Sequence, residues 1–283
     1  MVGMRDVAKK AGVSLSTVSL VVNGNGYVSD DMRERVRKAM QALNYVPNEL
    51  ARNLYHDCTN LVGVIVPTIR HPFFATFTAH LQHALAAQGL RTMLCSTADE
   101  ADGEIQYVDM LRRHMMDGIV MCAHTSHPGD YWTSIHRPIV AFDRVLGDGI
   151  SSIGSDHEQG GRLIAQMLIR NGAKHVVMFD LGKTTFPTVR YYLTLEQELT
   201  SAGVKYEYVE AGEVMDFAGY HRAVSNALDK VTTDGVDAVV SSDIGASFCV
   251  REALGRGISI PDELQIVAYD GTYLTDLAGM KLT

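Results

Sequence analysis

Apolar and polar positions alternate along this chain in two different rhythms. Near the amino end, small apolar residues recur at helical spacing on both sides of Gly12, and this pattern predicts two short helices joined by a tight turn. Ser14 follows the turn and can cap the second helix, because its hydroxyl can accept a backbone N–H of the first turn. A third helix is predicted to begin at Ser29-Asp30-Asp31-Met32, where apolar residues follow at helical spacing.

From Asn60 onward, compact β-branched runs alternate with amphipathic stretches. This order predicts parallel strands covered by helices on both faces of a sheet, and it repeats in the two halves of the remaining chain. The predicted strands are Leu61–Val66, Thr92–Cys95, Gly118–Met121, Pro138–Phe142, His175–Phe179, Ala238–Val240 and Gln265–Tyr269. The predicted helices are Phe74–Gln88, Glu104–Arg113, Glu158–Arg170, Glu196–Ala202 and Gly245–Leu254.

Composition is consistent with a small module followed by a large one. The chain has 283 residues, of which 46% are hydrophobic, enough for a substantial core. No apolar run reaches the roughly 18 residues that span a bilayer, and no secretory signal is visible, so we expect a cytoplasmic protein without a membrane partner. The four cysteines are widely separated and form no C-x-x-C pair, which favours ordinary reduced thiols.

The net charge of −8 is distributed unevenly. Residues 1–58 hold eight Lys or Arg against six Asp or Glu, a balance of +2 that leaves −10 for the remainder. Such an asymmetry suits a small head that meets phosphate groups and an acidic body that does not. On the third helix, Arg33, Arg35 and Lys38 are candidate phosphate contacts.

The segment from Asp6 to Ser19 has the helix-turn-helix pattern, whose second helix enters the major groove of DNA. A second signature follows, Tyr45-Val46-Pro47-Asn48 with Ala51-Arg52-Asn53-Leu54 behind it. The combination resembles the LacI family of bacterial transcription repressors, and the resemblance runs from Met4 to Thr283. It implies an N-terminal all-α helix-turn-helix head plus an α/β two-lobed domain of the periplasmic-binding-protein-like type.

The resemblance also implies the domain boundaries. The head covers residues 1–46, the hinge helix and linker cover 47–59, and the two lobes of the effector-binding domain cover 60–155 and 156–283. Family members continue past the L-T-T motif, which here stops at Leu282-Thr283. We therefore expect the second lobe to be C-terminally incomplete, as in a fragment of a longer protein.

In the family, the positions that match Leu15, Ser16 and Leu20 usually do most of the base reading. Leu20 departs from members with a polar residue there; a leucine can pack on a thymine methyl but cannot form paired hydrogen bonds to guanine. This predicts A·T pairs under Leu20, and the alternative is that Leu20 extends the apolar core of the head. The full set of candidate DNA-binding residues is Leu15, Ser16, Thr17, Ser19, Leu20, Asn23, Arg52 and Leu54.

The segment from Asn48 to Leu54 matches the family's hinge helix. A helix this short does not hold together alone in water, so we expect it to fold only against its dimer partner on DNA. The resemblance implies that Leu54 of each subunit wedges into the minor groove at the operator centre, with Arg52 contacting the backbone nearby. The alternative for Leu54 is an ordinary linker leucine.

In parallel sheets, ligands bind beyond the carboxyl ends of the strands. After the first strand, His71-Pro72-Phe73-Phe74 resembles the family's N-P-F/Y-F motif, with histidine in place of asparagine. An aromatic ring there can stack on a sugar or a base, and carboxylates with a guanidinium suit a polyhydroxylated ligand. The candidate effector-binding residues are His71, Phe73, Phe74, Asp143, Arg190, Asp243 and Asp270. Each could instead be a loop cap or part of a surface ion pair.

The sequence therefore predicts a homodimeric repressor that binds palindromic operator DNA and responds to a small molecule, by family analogy a sugar. We expect no cofactor, because Gly182-Lys183-Thr184 lacks the earlier glycine of a phosphate loop. No metal site is expected either, since the pairs His80/His83 and His124/His127 lack further ligands nearby. Two alternatives remain: a binding protein of the sugar-transport type with a non-functional head, and a sugar-processing enzyme, for which no G-x-S-x-G motif is present.

Overall fold

The computed structural model describes residues 2–24, 26–47, 58–97, 103–123, 125, 127–180, 189–211 and 217–277. The chain divides into two compact units, Met1–Thr59 and Asn60–Thr283. The first unit is helical, and the second contains two parallel sheets. Among the described residues, no helix is long and apolar enough to cross a membrane.

The described part of the head contains three helices, α1 (Met4–Ala11), α2 (Leu15–Asn23) and α3 (Asp30–Ala42). Gly12 ends α1 in the left-handed conformation, with φ of 64°, which is why a residue without Cβ stands at this turn. The Ser14 hydroxyl accepts the Thr17 amide at 3.0 Å and so caps α2, as predicted from the sequence. The buried core of the head comprises Val7, Ala8, Ala11, Val18, Val36 and Ala39.

The first lobe is built on a five-stranded parallel sheet with strand order β2-β1-β3-β4-β5. Its elements in chain order are β1 (Leu61–Val66), α4 (Pro72–Ala87), β2 (Arg91–Ser96), α5 (Gly103–Arg112), β3 (Gly118–Met121), α6 (Gly129–Thr133), β4 (Ile139–Phe142) and β5 (Ser151–Ile153). Buried side chains pack on both faces of this sheet, as expected for strands covered by helices.

The second lobe has a four-stranded parallel sheet with strand order β7-β6-β8-β9. Its elements are α7 (His157–Arg170), β6 (His175–Asp180), α8 (Val189–Ser201), β7 (Lys205–Glu210), α9 (Phe217–Thr233), β8 (Ala238–Ser241), α10 (Asp243–Gly255), β9 (Gln265–Ala268) and α11 (Leu274–Leu277). Apolar clusters again cover both faces of the sheet.

Five elements were not predicted from the sequence, and one helix was predicted too short. Strands β5 and β7 each form one edge of a sheet, and polar or charged side chains within them interrupt the apolar run on which the prediction depended. Helices α6, α9 and α11 were also missed. Helix α8 begins at Val189, seven residues before the predicted start at Glu196.

Because all strands within a sheet run parallel, their carboxyl ends lie along one edge of each lobe. The loop after β1 carries His71, the loop after β4 carries Asp143, and β8 and β9 lead to Asp243 and Asp270. The alternation of strands and helices thus sets these side chains at strand ends, where the sequence predicted them.

Candidate functional site

Helix α2 presents one face to the core of the head and another to solvent. Val18 is completely buried, whereas Leu15 and Leu20 are 43% and 38% exposed and Ser16 is exposed beside them. The Leu20 side chain lies against the turn that follows α2, as shown by the distance of 3.3 Å between Leu20 Cδ2 and a Cβ added at Gly26. The exposed face is therefore apolar and hydroxyl-bearing, a composition that can meet base edges and thymine methyl groups.

The other candidates on α2 are less exposed; a contact to Ser14 does not set them apart, because the Ser16 hydroxyl also lies 2.7 Å from the Ser14 hydroxyl. The Thr17 hydroxyl lies 2.8 Å from the Ser14 hydroxyl, and the Asn23 amide donates to the Ser19 hydroxyl at 3.2 Å. Thr17, Ser19 and Asn23 are all half-buried. Of the predicted residues on this helix, Leu15, Ser16 and Leu20 are thus the ones that face outward. Arg52 and Leu54 lie outside the described residues.

Arg35 contributes to the head in a way that sequence reasoning missed. Its Nε and Nη2 donate to the Ala11 carbonyl at 3.1 and 2.7 Å, and Nη2 also donates to the Gly12 carbonyl at 2.9 Å. These carbonyls end α1 and have no partner inside that helix. The guanidinium that was expected to contact phosphate therefore ties α3 to the turn before α2.

His71 occupies the start of α4 in the first lobe. Its Nδ1 accepts the Phe73 amide at 3.3 Å, which caps the helix and leaves the proton of the neutral ring on Nε2. Burial lowers the pKa of His71, against a smaller raising effect of the Asp243 charge in the second lobe. The ring is therefore neutral at pH 7, and it lies within electrostatic reach of the opposite lobe.

The predicted aromatic pair belongs to a larger cluster. Phe73 and Phe74 lie 5.3 Å apart between ring centroids, and Phe73 is 6.0 Å from Phe142. Phe77 packs against Phe142 at 4.4 Å. Phe77 and Phe142 were not proposed from the sequence, although Phe77 follows Phe73 by one helical turn and Phe142 ends β4. Together the four rings form an aromatic wall at the carboxyl end of the first sheet.

Asp143 follows β4 in the left-handed conformation, with φ of 51°. Its Oδ1 accepts the Ser155 amide at 2.9 Å and lies 3.1 Å from His157 Nε2. Burial alone would raise the pKa of Asp143, but the hydrogen bonds from His157 and the Ser155 amide outweigh it and hold the pKa below its ordinary value. Asp143 is thus an ionised, oriented carboxylate at the edge of the first lobe.

Asp243 has a different environment from the one expected of a ligand-binding carboxylate. It is 1% exposed, and its Oδ1 accepts the amides of Asp270 and Gly271 at 3.0 and 3.1 Å. Its Oδ2 accepts both the amide and the hydroxyl of Thr272. Four hydrogen bonds hold the loop after β9, so the geometry corresponds to the loop-cap alternative for Asp243.

Asp270 lies beside Asp243 and remains suited to ligand contact. Burial, with the Asp243 charge as a smaller cause, raises the pKa of Asp270 to about 6. Its Oδ2 accepts the Asp243 amide at 3.3 Å. A carboxyl group that protonates near pH 6 can both donate to and accept from a ligand hydroxyl.

Arg190 is exposed at the start of α8, where its guanidinium lies 3.6 Å from Glu158. The structure thus pairs it with a surface carboxylate rather than with the other predicted residues. Within the described part of the chain, no group of three or more His, Cys, Asp or Glu side chains is arranged to hold a metal ion.

Comparison with known proteins gives the same division of the chain. The family model described as "Bacterial regulatory proteins, lacI family" matches residues 3–48. The model described as "Periplasmic binding proteins and sugar binding domain of LacI family" matches residues 59–271.

Several curated proteins are similar over nearly the whole chain. The sucrose operon repressor of Streptococcus mutans is 34% identical over 275 residues, covering 96% of this chain and 83% of the relative. The ribose operon repressor of Bacillus subtilis is 34% identical over 273 residues, covering 95% and 82% respectively. The crystal structure of the lac repressor dimer bound to operator and the anti-inducer ONPF shares the fold, with a TM-score of 0.83 at 23% identity, covering all of this chain and 86% of that one. This chain belongs to the LacI family of bacterial regulatory proteins.

Proposed function

We propose that this protein is a homodimeric transcriptional repressor that binds palindromic operator DNA through its helical head. The observation that carries the proposal is the outward face of α2, where Leu15, Ser16 and Leu20 are exposed on a helix whose opposite side is buried. A helix with this exposure can enter the major groove without disturbing the core of the head. The family's named sucrose and ribose operon repressors support the same role.

The two-lobed domain is proposed to bind a small effector, and a sugar fits its chemistry. The aromatic wall offers ring faces for the apolar side of a sugar, and Asp143 and Asp270 offer oxygen atoms for its hydroxyls. Such an effector changes operator affinity only by as much as it prefers one lobe arrangement over the other. The protein therefore acts by binding and not by turnover, and we expect the sugar to release operator.

Selection of bound sequences from random duplex DNA, with the intact protein at fixed salt, tests the DNA-binding part. A palindrome with A·T pairs under Leu20 is expected, because a leucine can contact the thymine methyl. Leu20→Ala should lose preference at those pairs alone. Met32→Ala is the matched control, since it truncates an exposed apolar residue of the same head outside α2.

Two outcomes would contradict these expectations. Binding that selects no sequence and disappears as salt rises would remove the repressor proposal, because phosphate contacts alone behave this way. Base preferences that survive Leu20→Ala unchanged would remove the thymine contact but leave the repressor role intact.

Thermal unfolding in the presence of sucrose or ribose, the sugars in the names of two relatives, tests the effector part. A ligand at about 100 times its Kd stabilises the folded state by about 2.7 kcal/mol, and the same ligand should change operator affinity. Phe73→Ala should weaken that response. Leu254→Ala is the control, because this exposed residue lies eleven positions along α10 from Asp243, about 16 Å away at the rise of a helix. A set of sugars without effect on stability or on operator binding would contradict the proposed effector class.

A further inference from the structure

A line of hydrogen bonds runs from the second lobe into the first. Tyr269 stands directly after β9, His157 is the first residue of α7, and Asp143 stands directly after β4. His157 Nδ1 lies 2.5 Å from the Tyr269 hydroxyl, and His157 Nε2 lies 3.1 Å from Asp143 Oδ1. Through these two contacts the buried imidazole connects the carboxyl-terminal end of one strand in each lobe.

The chemistry of the partners determines where the protons lie. Asp143 has a pKa below its ordinary value, so its carboxylate only accepts, and Nε2 must carry the proton. In a neutral ring Nδ1 then accepts, and the donor is the Tyr269 hydroxyl, whose pKa is raised by burial and by nearby carboxylates. Both ring nitrogens are satisfied in this one tautomer.

Two glycines make room for the outer members of the line. A Cβ added at Gly154 would lie 2.5 Å from Asp143 Oδ1, and one added at Gly160 would lie 3.2 Å from the Tyr269 hydroxyl. The Tyr269 ring also stacks on the buried Tyr191 ring, 4.3 Å away between centroids. The backbone thus approaches both groups closely, and neither can move far without a rearrangement of its neighbours.

We propose that His157 is a positioning residue that ties the second lobe to the Asp143 carboxylate, and thereby sets both the arrangement of the lobes and the orientation of Asp143. The effector-related part of this inference rests on the proposed function. The hydrogen bonds from His157 and the Ser155 amide both reach Oδ1 of Asp143. An effector hydroxyl is therefore expected to bind at Oδ2, and a ligand that needs another lobe arrangement must break the His157 bridge.

Tyr269→Phe is the sharpest variant, because it removes the hydroxyl that donates to Nδ1 and keeps the ring that stacks on Tyr191. His157→Gln removes the bridge from its centre. The matched control is Tyr208→Phe, which deletes a tyrosine hydroxyl whose bond to Glu196 lies wholly within the second lobe. Far-UV circular dichroism and thermal unfolding show that each variant is folded.

The distance between the lobes can be measured by electron spin resonance with two nitroxide labels. Exposed positions for labelling are His83 on α4 and Arg170 at the end of α7, each replaced by cysteine. Cys58 is replaced by serine; the other three cysteines are buried, and burial raises the pKa of each thiol, so they should not react. We expect a narrow distribution in the parent and in Tyr208→Phe, and a shifted or broadened one in Tyr269→Phe and His157→Gln. Distributions identical to the parent in both bridge variants would overturn the proposal.

Nitrogen-15 spectra of the histidine side chains provide a second readout. In the parent, the His157 Nδ1 signal should be that of a nitrogen that accepts a hydrogen bond, and Tyr269→Phe should move it toward the signal of an unbonded ring nitrogen while the proton stays on Nε2 beside Asp143. A parent ring protonated on Nδ1 alone would also overturn the assignment. Neither readout uses operator or effector, so a failure here counts against the bridge, whereas failure of the parent to select DNA counts only against the proposed function.

Discussion

Removal of the Asp243 carboxylate tests whether this residue holds the loop after β9 or serves the ligand. In Asp243→Ala, the amides of Asp270 and Gly271 and both polar groups of Thr272 lose their acceptor. The effect should therefore appear in the stability of the second lobe even when no ligand is present.

The magnitude follows from which donors can recover a partner. Gly271 is exposed, so its amide can turn to water, whereas Thr272 is buried and keeps two donors without an acceptor. Each buried donor left unsatisfied costs about 1–3 kcal/mol. Loss of the neighbouring charge also relieves Asp270, one cause of whose raised pKa is Asp243. We expect a net destabilisation of about 3 kcal/mol, since these terms partly offset one another.

Hydrogen exchange of the intact protein, followed by mass spectrometry, reports on the second lobe by itself and needs no assumption that both lobes unfold together. Peptides that cover β8 and β9 should exchange faster by the factor that corresponds to about 3 kcal/mol, roughly a hundredfold. Asp276→Ala is the control, because this aspartate is exposed a few residues beyond the same loop. A change of less than about 1 kcal/mol in the opening free energy of these peptides in Asp243→Ala would refute the loop-holding role and would favour ligand contact as the role of the carboxylate.

Three further results are expected. Arg35→Met should lower the opening free energy of the α1 amides by about 1 kcal/mol, since the guanidinium that binds the last carbonyls of α1 is half exposed; unchanged exchange would contradict this. The pKa of Asp270 is about 6 in the folded state, above its ordinary value of 3.8, so the folded state binds this proton more tightly than the unfolded state does. The free energy of unfolding therefore includes a contribution from this proton that is complete below about pH 4 and is lost as the pH rises through 6. Asp270→Asn should remove about 3 kcal/mol of this decline in urea titrations between pH 4 and 7, and parallel curves would count against it. A thiol reagent at pH 8 should modify Cys58 first, because burial raises the pKa values of Cys95 and Cys122 to about 11 and 12; rapid reaction of either in the folded chain would disprove the assignment.

The fold was predictable wherever buried elements appear in the sequence as runs of apolar residues. Strands β1, β6 and β8 are covered on both faces and read as apolar runs, which is why their positions were predicted closely. Strand β5 gives no such signal, because its three residues are all exposed and it is held by pairing with β4. The spacing of apolar residues along the sequence indicates which positions are buried, but it does not indicate which strands form hydrogen bonds with each other.

The candidate site was predictable in position but not in the use of each group. The strand-end rule selected Asp243 and Asp270 alike. Only the structure shows that Asp243 accepts hydrogen bonds from the loop after β9, whereas the carboxyl group of Asp270 has a raised pKa and can still be protonated. The hydrogen bond between His157 and Tyr269 joins residues 112 positions apart, and no spacing in the sequence predicts it. Local patterns identify elements, whereas long-range partners decide what a polar side chain does.

The division of labour on α2 bears on how such a protein changes over evolutionary time. Val18 anchors the helix to the head, and Ser14 and Arg35 fix the turn before it, while Leu15, Ser16 and Leu20 point outward. Mutations on the outward face therefore alter what the helix presents with little effect on folding, since surface substitutions usually change stability by less than about 0.5 kcal/mol. Duplicated copies of the gene could drift toward new binding sequences through folded intermediates, one exposed residue at a time.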